Sequence, residues 1–579
     1  MKRSFSQKWH SLSLCLLIAV LFSLANPVKA QIPEDLPTEQ LEPQNAPTPL
    51  PPQTEPSEPE TLPPVEEILP EIEAPLNEVE ITGDVPETVF VRKFKIVGST
   101  VFTPEELQEV LQPYTMRRLT FTELLAAQQA VDRLYIENGY ITSGTFLPPQ
   151  KLQKGIVSIK VIEGTVEEIN ITGLDRLNTD YVRSRLKIAT NAPLNQNKLL
   201  NALQLLQLNP LIDNLAAELT AGTRPGSSIL ELNLQEADPF DVTFSFDNYR
   251  APSVGTNRRQ VRLTHRNLAG FGDRFTIGYL NTDGSDSLND LNYTIPVNPN
   301  NGTLNFRFSY TDSEIIEEPF DRFDIASENT NYEFTYRQPL LQKPTEDVTI
   351  GFTFSRNDSQ TTLGGDPIQL SRGAETDGET HISALRFFQE YTNRDATQVL
   401  ALRSQFSLGV NLFDATINSD RPDSKFVSWR GQAQYLKLLS PDLTLLVRSD
   451  LQFSDRPLVP VEQFSLGGAL SVRGYRQDVL LGDNGWFNSV EIRATVLRIS
   501  DWNTTIALSP FVDFGKVWNT DNVRLDKNTL LSAGIGVRLQ VNDVFIARLD
   551  WGIPLVDLAT EGDSLQEDGV YFSLELKPF

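Results

Sequence analysis

Two short motifs near the carboxyl end carry the residues whose types and spacing could do chemistry. Val472-Arg473-Gly474-Tyr475 places one fixed positive charge in a stretch otherwise short of charge, and Phe511-Val512-Asp513-Phe514-Gly515 supplies a carboxylate further along. An arginine cannot be deprotonated in a protein, so once removed from water it needs a carboxylate or several carbonyls around it. If the second motif is a strand, Phe511, Asp513 and Gly515 share one face and Val512 and Phe514 the other. An apolar second face suggests lipid, which points Asp513 inward and makes it a candidate partner for Arg473. Glu491 and Arg493 alternate with Val490, Ile492 and Ala494 in the same way and are expected to face the same interior.

Such chemistry holds and releases a charged loop; it breaks no bonds. The chain contains no His-Glu-x-x-His, no Gly-x-Ser-x-Gly and no phosphate-binding glycine loop, so nothing in the sequence supports an enzyme. Its three histidines, His10, His265 and His381, are scattered, and the single cysteine, Cys15, lies in an apolar leader. No metal site and no cofactor are therefore expected. The net charge of −26 argues against a nucleic-acid partner, since binding phosphates takes clustered Lys and Arg. Half of that charge sits in one stretch, Gln31 to Glu80, with thirteen acidic and no basic residues.

The element that must position both motifs is a repeating β pattern from about Phe240 to Phe579. Segments of about ten residues alternate apolar with polar and are separated by Asn, Asp, Gly and Pro clusters, the pattern of transmembrane β-strands. Sixteen are counted, near 240–249, 257–267, 272–282, 287–296, 302–311, 329–338, 346–356, 380–391, 396–410, 425–438, 441–455, 484–498, 503–518, 528–540, 543–552 and 569–578. The expected fold is a sixteen-stranded antiparallel transmembrane barrel over residues 237–579, with 456–483 as a lumen loop. Connections after even strands are short, as at Asn298 to Asn301 and Ser440. Several after odd strands are long, as from Asp312 to Glu328, Asn357 to Glu379 and Arg456 to Asp483. Short periplasmic turns alternating with longer external loops are the habit of outer-membrane barrels. In the last strand Tyr571, Ser573, Glu575 and Lys577 face one way and Phe572, Leu574 and Leu576 the other, before the terminal Phe579.

Upstream, residues 1–30 read as a secretory signal: Lys2, Arg3 and Lys8, an apolar run from Leu12 to Leu24, and Val28-Lys29-Ala30 as a cleavage site. Residues 31–86 are rich in Pro and Glu and read as an extended spacer. From Val89 the pattern becomes strand (Val89 to Ile96), a helix opened by Thr103-Pro104-Glu105-Glu106, a second helix (Thr120 to Asn138), and strands at Tyr140 to Leu147 and Gly155 to Ile162. The same order recurs more faintly in Val166 to Leu234, so two small α+β units are expected at 87–164 and 165–236. A repeated domain with an open sheet edge suits capture of an extended peptide as an added strand.

Gly139-Tyr140-Ile141-Thr142, Leu147-Pro148-Pro149-Gln150, Gly155 and Val161-Ile162-Glu163-Gly164 together resemble the first polypeptide-transport-associated (POTRA) domain of the TpsB family, the outer-membrane transporters of two-partner secretion. The resemblance extends from about Val89 to Phe579. It implies two periplasmic POTRA domains ahead of the barrel, and an external loop that folds back into the lumen so that its arginine meets the aspartate of a Phe-x-Asp-x-Gly strand; these roles fall on Arg473 and Asp513. The terminal Phe579 resembles the signal read by the barrel assembly machinery. Family members often carry a pore-filling N-terminal helix, whereas the Pro/Glu tract here shows no obvious helical pattern.

The implied function is outer-membrane transport of a secreted exoprotein bearing an N-terminal secretion domain. The partner is bound unfolded through the POTRA domains and passed through a monomeric, lipid-embedded barrel, with the sixth external loop as a gate. The nearer rival is an assembly factor of the same superfamily, against which two POTRA units and the Pro-Pro-Gln signature argue; a passive porin would have no need of POTRA domains.

Overall fold

A computed structural model describes residues 88–151, 154–419, 421–521, 523, 525–558 and 562–578. The expected signal peptide, the acidic tract and Phe579 lie outside the described residues.

The first unit begins with β1 (Val89–Val91) and β2 (Lys93–Val97), followed by α1 (Pro104–Leu111), β3 (Arg117–Leu119), α2 (Phe121–Glu137), β4 (Gly144–Phe146) and β5 (Ile156–Ile162). Both helices open on a capping box: Thr103 and Thr120 each accept from the backbone of a glutamate three residues on, and Glu106 and Glu123 reach back to the cap. Leu107, Leu111, Leu124, Ala127, Val131 and Tyr135 pack against Phe94, Val157, Ile159 and Val161 of the sheet. The stretch Val89 to Ile96, expected as one strand, bends at Arg92. Its first part pairs with β3, which the sequence pattern did not show, and its second pairs in parallel with β5. The strand expected over Tyr140 to Leu147 shrinks to Gly144–Phe146. Tyr140 packs on the domain core, and Pro148 and Pro149 have no N–H to add to a ladder.

The second unit repeats the order with β6 (Thr165–Thr172), α3 (Thr179–Ala189), α4 (Gln196–Gln207), β7 (Ile212–Ala221) and β8 (Ser227–Glu236), around a core of Val182, Leu186, Leu199, Leu203, Leu230 and Leu232.

The barrel wall starts with β9 (Phe240–Asp247), β10 (Arg258–Arg266), β11 (Arg274–Asn281), β12 (Ser285–Pro296), β13 (Thr303–Glu314), β14 (Ile325–Lys343) and β15 (Glu346–Leu363). It continues past a two-residue β16 (Asp366–Pro367) with β17 (Glu379–Arg394), β18 (Gln398–Val410), β19 (Val427–Ser440) and β20 (Leu443–Ser454). A small hairpin, β21 (Phe464–Leu466) with β22 (Leu480–Gly482), lies within the next loop. Then β23 (Asn484–Ile499), β24 (Thr504–Trp518), β25 (Thr529–Val541), β26 (Phe545–Pro554) and β27 (Val570–Leu576) complete the wall. Neighbours pair antiparallel, and β27 returns to β9, closing a barrel of sixteen long strands among the described residues. Closure removes the unpaired edges that lipid would not tolerate.

The alternation in sequence becomes an inside and an outside. Val490, Val512, Ile535, Leu549 and Trp551 are each about half exposed on the outer surface, whereas Glu491, Asp513, Ser532 and Asp550 are at most 1% exposed inside. Several strands outrun their expected ends, notably β14 and β15. There both faces become polar (Ser327 to Asn331, Asn357 to Gln360), so the wall goes on while its alternation disappears. No helix among the described residues is long and apolar enough to cross a membrane; the crossing is made by strands.

Candidate functional site

The loop between β20 and β23 is the longest in the barrel and turns inward. Its base is held by Asp483, whose carboxylate accepts from the backbone N–H of Leu458 (2.9 Å) and Thr520 (2.8 Å), and by Glu462, which pairs with Arg386 of β17 at 2.6 Å. From the β21–β22 hairpin and the turn it encloses, Phe464, Leu466, Val472 and Tyr475 pack with Phe487, Val517 and Leu530 of the wall, so the loop carries its own apolar contact into the lumen.

Arg473 is completely buried. Its Nε and Nη2 donate to the two oxygens of Asp513 at 2.7 and 2.9 Å, its Nη1 to Glu491 at 2.7 Å, and its backbone N–H to Asp513 at 3.1 Å. Ser489 accepts a further bond from Nη2 at 3.3 Å, and Asp550 lies 3.8 Å from Nη1. The guanidinium carbon stands 3.3 Å over the centre of the Phe511 ring. Glu491 is shared, accepting also from Arg493 (2.8 Å) and Arg548 (2.9 Å), and Arg548 donates to Asp550 at 2.7 Å. Three arginines therefore meet three carboxylates in one buried, formally neutral cluster.

Strand register explains the fit. Ser489, Asp513 and Ser532 are cross-strand partners on β23, β24 and β25, and Glu491, Phe511 and Gly534 are partners one pleat away. Glycines supply the room. A Cβ on Gly534 would meet the Phe511 ring at 2.4 Å, and one on Gly515 would meet Leu466 at 2.7 Å and Val472 at 2.8 Å. On Gly552 it would lie 2.6 Å from the backbone nitrogen of Gly474, which itself has φ +98. The loop backbone thus lies directly on the backbone of β26. Tyr571 of the last strand accepts from Gly474 N–H at 3.0 Å and donates to the carbonyl of Tyr475. The Tyr475 hydroxyl sits between the carbonyls of Leu531 (2.8 Å) and Val556 (3.0 Å).

The structure therefore gathers Val472, Arg473, Gly474, Tyr475, Glu491, Arg493, Phe511, Asp513 and Gly515 into one place. Arg493 meets Glu491 and is not itself a partner of Arg473. Sequence reasoning did not single out Ser489, Asp550 and Tyr571 as site residues, nor Gly534 and Gly552. Asp550 between Leu549 and Trp551, and the glycines in alternating strands, were the available signals.

The signature residues of the first unit have structural partners. Glu163 accepts from the backbone N–H of Thr100 (2.6 Å) and Val101 (3.2 Å) and from the Tyr135 hydroxyl (3.0 Å). Burial pushes the Tyr135 hydroxyl above its ordinary pKa, and the Glu163 carboxylate adds to the shift. Gln150 bonds both backbone groups of Ser158 on β5, at 2.7 and 2.8 Å, extending the pairing of β4. Pro148 and Pro149 lead into that contact. Gly139, at φ +84, and Gly164 accept from the N–H groups of Gln196 and Leu194, each at 2.8 Å, and so join the two units; Tyr140 packs edge-on to Tyr135. Replacing Glu163 by alanine is expected to lower the melting temperature of the isolated pair of units. The loss should be about 1–2 kcal/mol, since the buried Tyr135 hydroxyl and the partly buried Val101 N–H lose an acceptor; an unchanged thermal transition would show the contact to be idle.

A closed sixteen-stranded barrel behind two small α+β units, with an external loop seated in the lumen on an arginine–carboxylate cluster, defines a POTRA-bearing outer-membrane barrel. Residues 226–539 match the family described as haemolysin secretion/activation protein ShlB/FhaC/HecB, and residues 89–164 match the ShlB-type POTRA domain. The chain belongs to that family, and it is an outer-membrane transporter of two-partner secretion with its POTRA domains in the periplasm. It is 25% identical over 491 residues to the outer membrane transporter CdiB of Escherichia coli, covering 80% of this chain and 79% of that one. It is 24% identical over 487 residues to the hemolysin transporter protein HpmB of Proteus mirabilis, covering 77% and 79%. The fold matches a solved structure of CdiB from Escherichia coli with a TM-score of 0.69 at 20% identity, over 87% of this chain and 93% of that one.

Proposed function

We propose that the chain captures one secreted exoprotein, still unfolded, on the sheet edges of its POTRA domains and passes it outward through the barrel, with the loop at Arg473 as the gate. The observation that carries this reading is the seating of that loop. A buried arginine held by two carboxylates and an aromatic ring is specific to one position, while other ion pairs of the loop, such as Glu462 with Arg386 and Arg476 with Glu317, are more exposed to water and the remainder is van der Waals contact and hydrogen bonds. The strand edges of β2, β6 and β7, open among the described residues, offer main-chain pairing that accepts many sequences, as an unfolded cargo requires. Domain limits at 87–164, 165–236 and 237–579, a monomeric state, an apolar outer face in contact with lipid, and insertion by the barrel assembly machinery complete the proposal. No catalytic step is part of it; the free energy for export comes from folding of the cargo outside.

Residues 87–236, immobilised and exposed to periplasmic extract, are expected to retain one large exoprotein by its N-terminal domain. Deletion of the transporter should abolish release of that exoprotein while other outer-membrane proteins assemble normally. A broad loss of outer-membrane proteins on depletion would instead support an assembly factor.

A further inference from the structure

The two periplasmic units share a fold but carry opposite charge on the sheet faces that their helices leave uncovered. In the first, side chains on β2 and β5 alternate between the helix-packed core (Phe94, Val157, Ile159, Val161) and the outer face, where Lys93, Lys95 and Lys160 are exposed. The three strands of that sheet contain no carboxylate. In the second unit the outward positions of β6, β7 and β8 include Glu168, Glu218 and Glu231, and these strands contain no lysine or arginine. None of these six charged groups enters an ion pair among the described residues. Glu218 and Glu231 are cross-strand partners, and like charges directly opposite cost stability, so the pattern is not there to hold the second sheet together.

Two of the lysines border an open edge. Strand order in the first sheet is β2-β5-β4, so among the described residues β2 bonds β5 along one side only, while β4 and then the Gln150 side chain pair with the far side of β5. A strand added to β2 would carry its outward side chains beside Lys93 and Lys95 and its inward ones beside Phe94, which is buried, and Ile96, which is half-buried. Acids outward and apolar residues inward fit both rows, and a one-residue slip would turn the acids toward the core. On the open edges of β6 or β7 the same segment would meet Glu168 or Glu218. Lysines on an edge strand ordinarily discourage pairing; beside an acidic segment they favour it.

We propose that the first unit selects its cargo segment by charge: the part of the exoprotein that adds to β2 is one in which acidic and apolar residues alternate, and the second unit turns that part away. This rests on capture of the cargo as an added strand at these edges, and it names the kind of segment that the first edge takes. Main-chain bonds give affinity and accept any sequence, whereas the row of Lys93 and Lys95 supplies the choice. Attraction at one unit and repulsion at the other make the preference a difference of two affinities, which discriminates more sharply than either alone.

Short peptides alternating Glu, Gln or Lys with Val, added to the full-length protein in lipid nanodiscs, test it by fluorescence anisotropy and backbone hydrogen exchange. The Glu–Val peptide is expected to bind about tenfold more tightly than the Gln–Val peptide, since opposite charges support a cross-strand pair, and to slow exchange of the Lys93–Val97 amides. The Lys–Val peptide should leave those amides unprotected. K93E together with K95E should invert the order, so that the Lys–Val peptide binds the more tightly and protects the same amides, a gain that a misfolded domain could not give. Equal protection of β2 by all three peptides would overturn the proposal and leave strand capture standing. Absence of protection at β2, β6 and β7 with every peptide and with the exoprotein's N-terminal domain would overturn strand capture itself, and the proposal with it. Binding of the Glu–Val peptide only after removal of residues 31–86 would overturn it too, by giving the basic face to the chain's own acidic tract.

Discussion

Arg473→Ala is expected to unseat the lumen loop, raise the conductance of the barrel in planar bilayers severalfold and impair secretion of the partner. The size of the effect follows from what is left behind. Glu491 keeps Arg493 and Arg548, but Asp513, fully buried, loses both guanidinium bonds and has no other cation within 4 Å among the described residues. Breaking a buried pair by removing one partner costs roughly 3–5 kcal/mol, because the remaining charge stays out of water. The loop is the only part of the pair that can move away, so the strain is relieved by loop departure. Arg473→Lys should recover little. A lysine offers a point charge where the site demands a fork that reaches Asp513 twice, Glu491 once and a ring face. Arg473→Ala combined with Asp513→Ala should be milder than Arg473→Ala alone, since no orphaned carboxylate remains; a double-mutant cycle on thermal unfolding in detergent measures that difference. Unchanged conductance and secretion in Arg473→Ala would remove the loop from the gating role.

The seat of this loop was legible in the sequence to the extent that strands are. Val490, Ile492, Val512 and Phe514 mark the outward face, which sends Glu491 and Asp513 inward whatever the details of the barrel, and Arg473 needs a carboxylate wherever it is buried. What periodicity could not supply was proximity. Tyr571 lies 97 positions from Gly474, and Asp550 reaches the cluster only because β26 stands two strands from β24 in the closed wall. The role of Gly552 depends on the loop backbone descending onto it, a contact that leaves no trace in local pattern. In the same way the bend at Arg92 is set by tertiary pairing: its N–H donates to Gly155 at 2.7 Å while β1 turns aside to β3. An eight-residue alternating run reads as one strand until its partners are known.

The central claim is that the loop must leave its seat for cargo to pass, and a reversible tether tests it most directly. An ideal Cβ on Gly515 lies 2.8 Å from Cγ2 of Val472, close to the separation of a sulfur from the opposite Cβ across a disulfide. Val472→Cys with Gly515→Cys should therefore form a bond between loop and wall under oxidising conditions, verified by mass on the purified barrel. Secretion of the partner, followed in the medium of cells carrying this pair as their only copy, is expected to fall more than tenfold when the bond is formed and to recover on adding a reductant to the level of Gly515→Cys alone, whose added Cβ crowds Leu466, while Val472→Cys alone secretes normally. Full secretion through a barrel whose tether is intact would contradict the account.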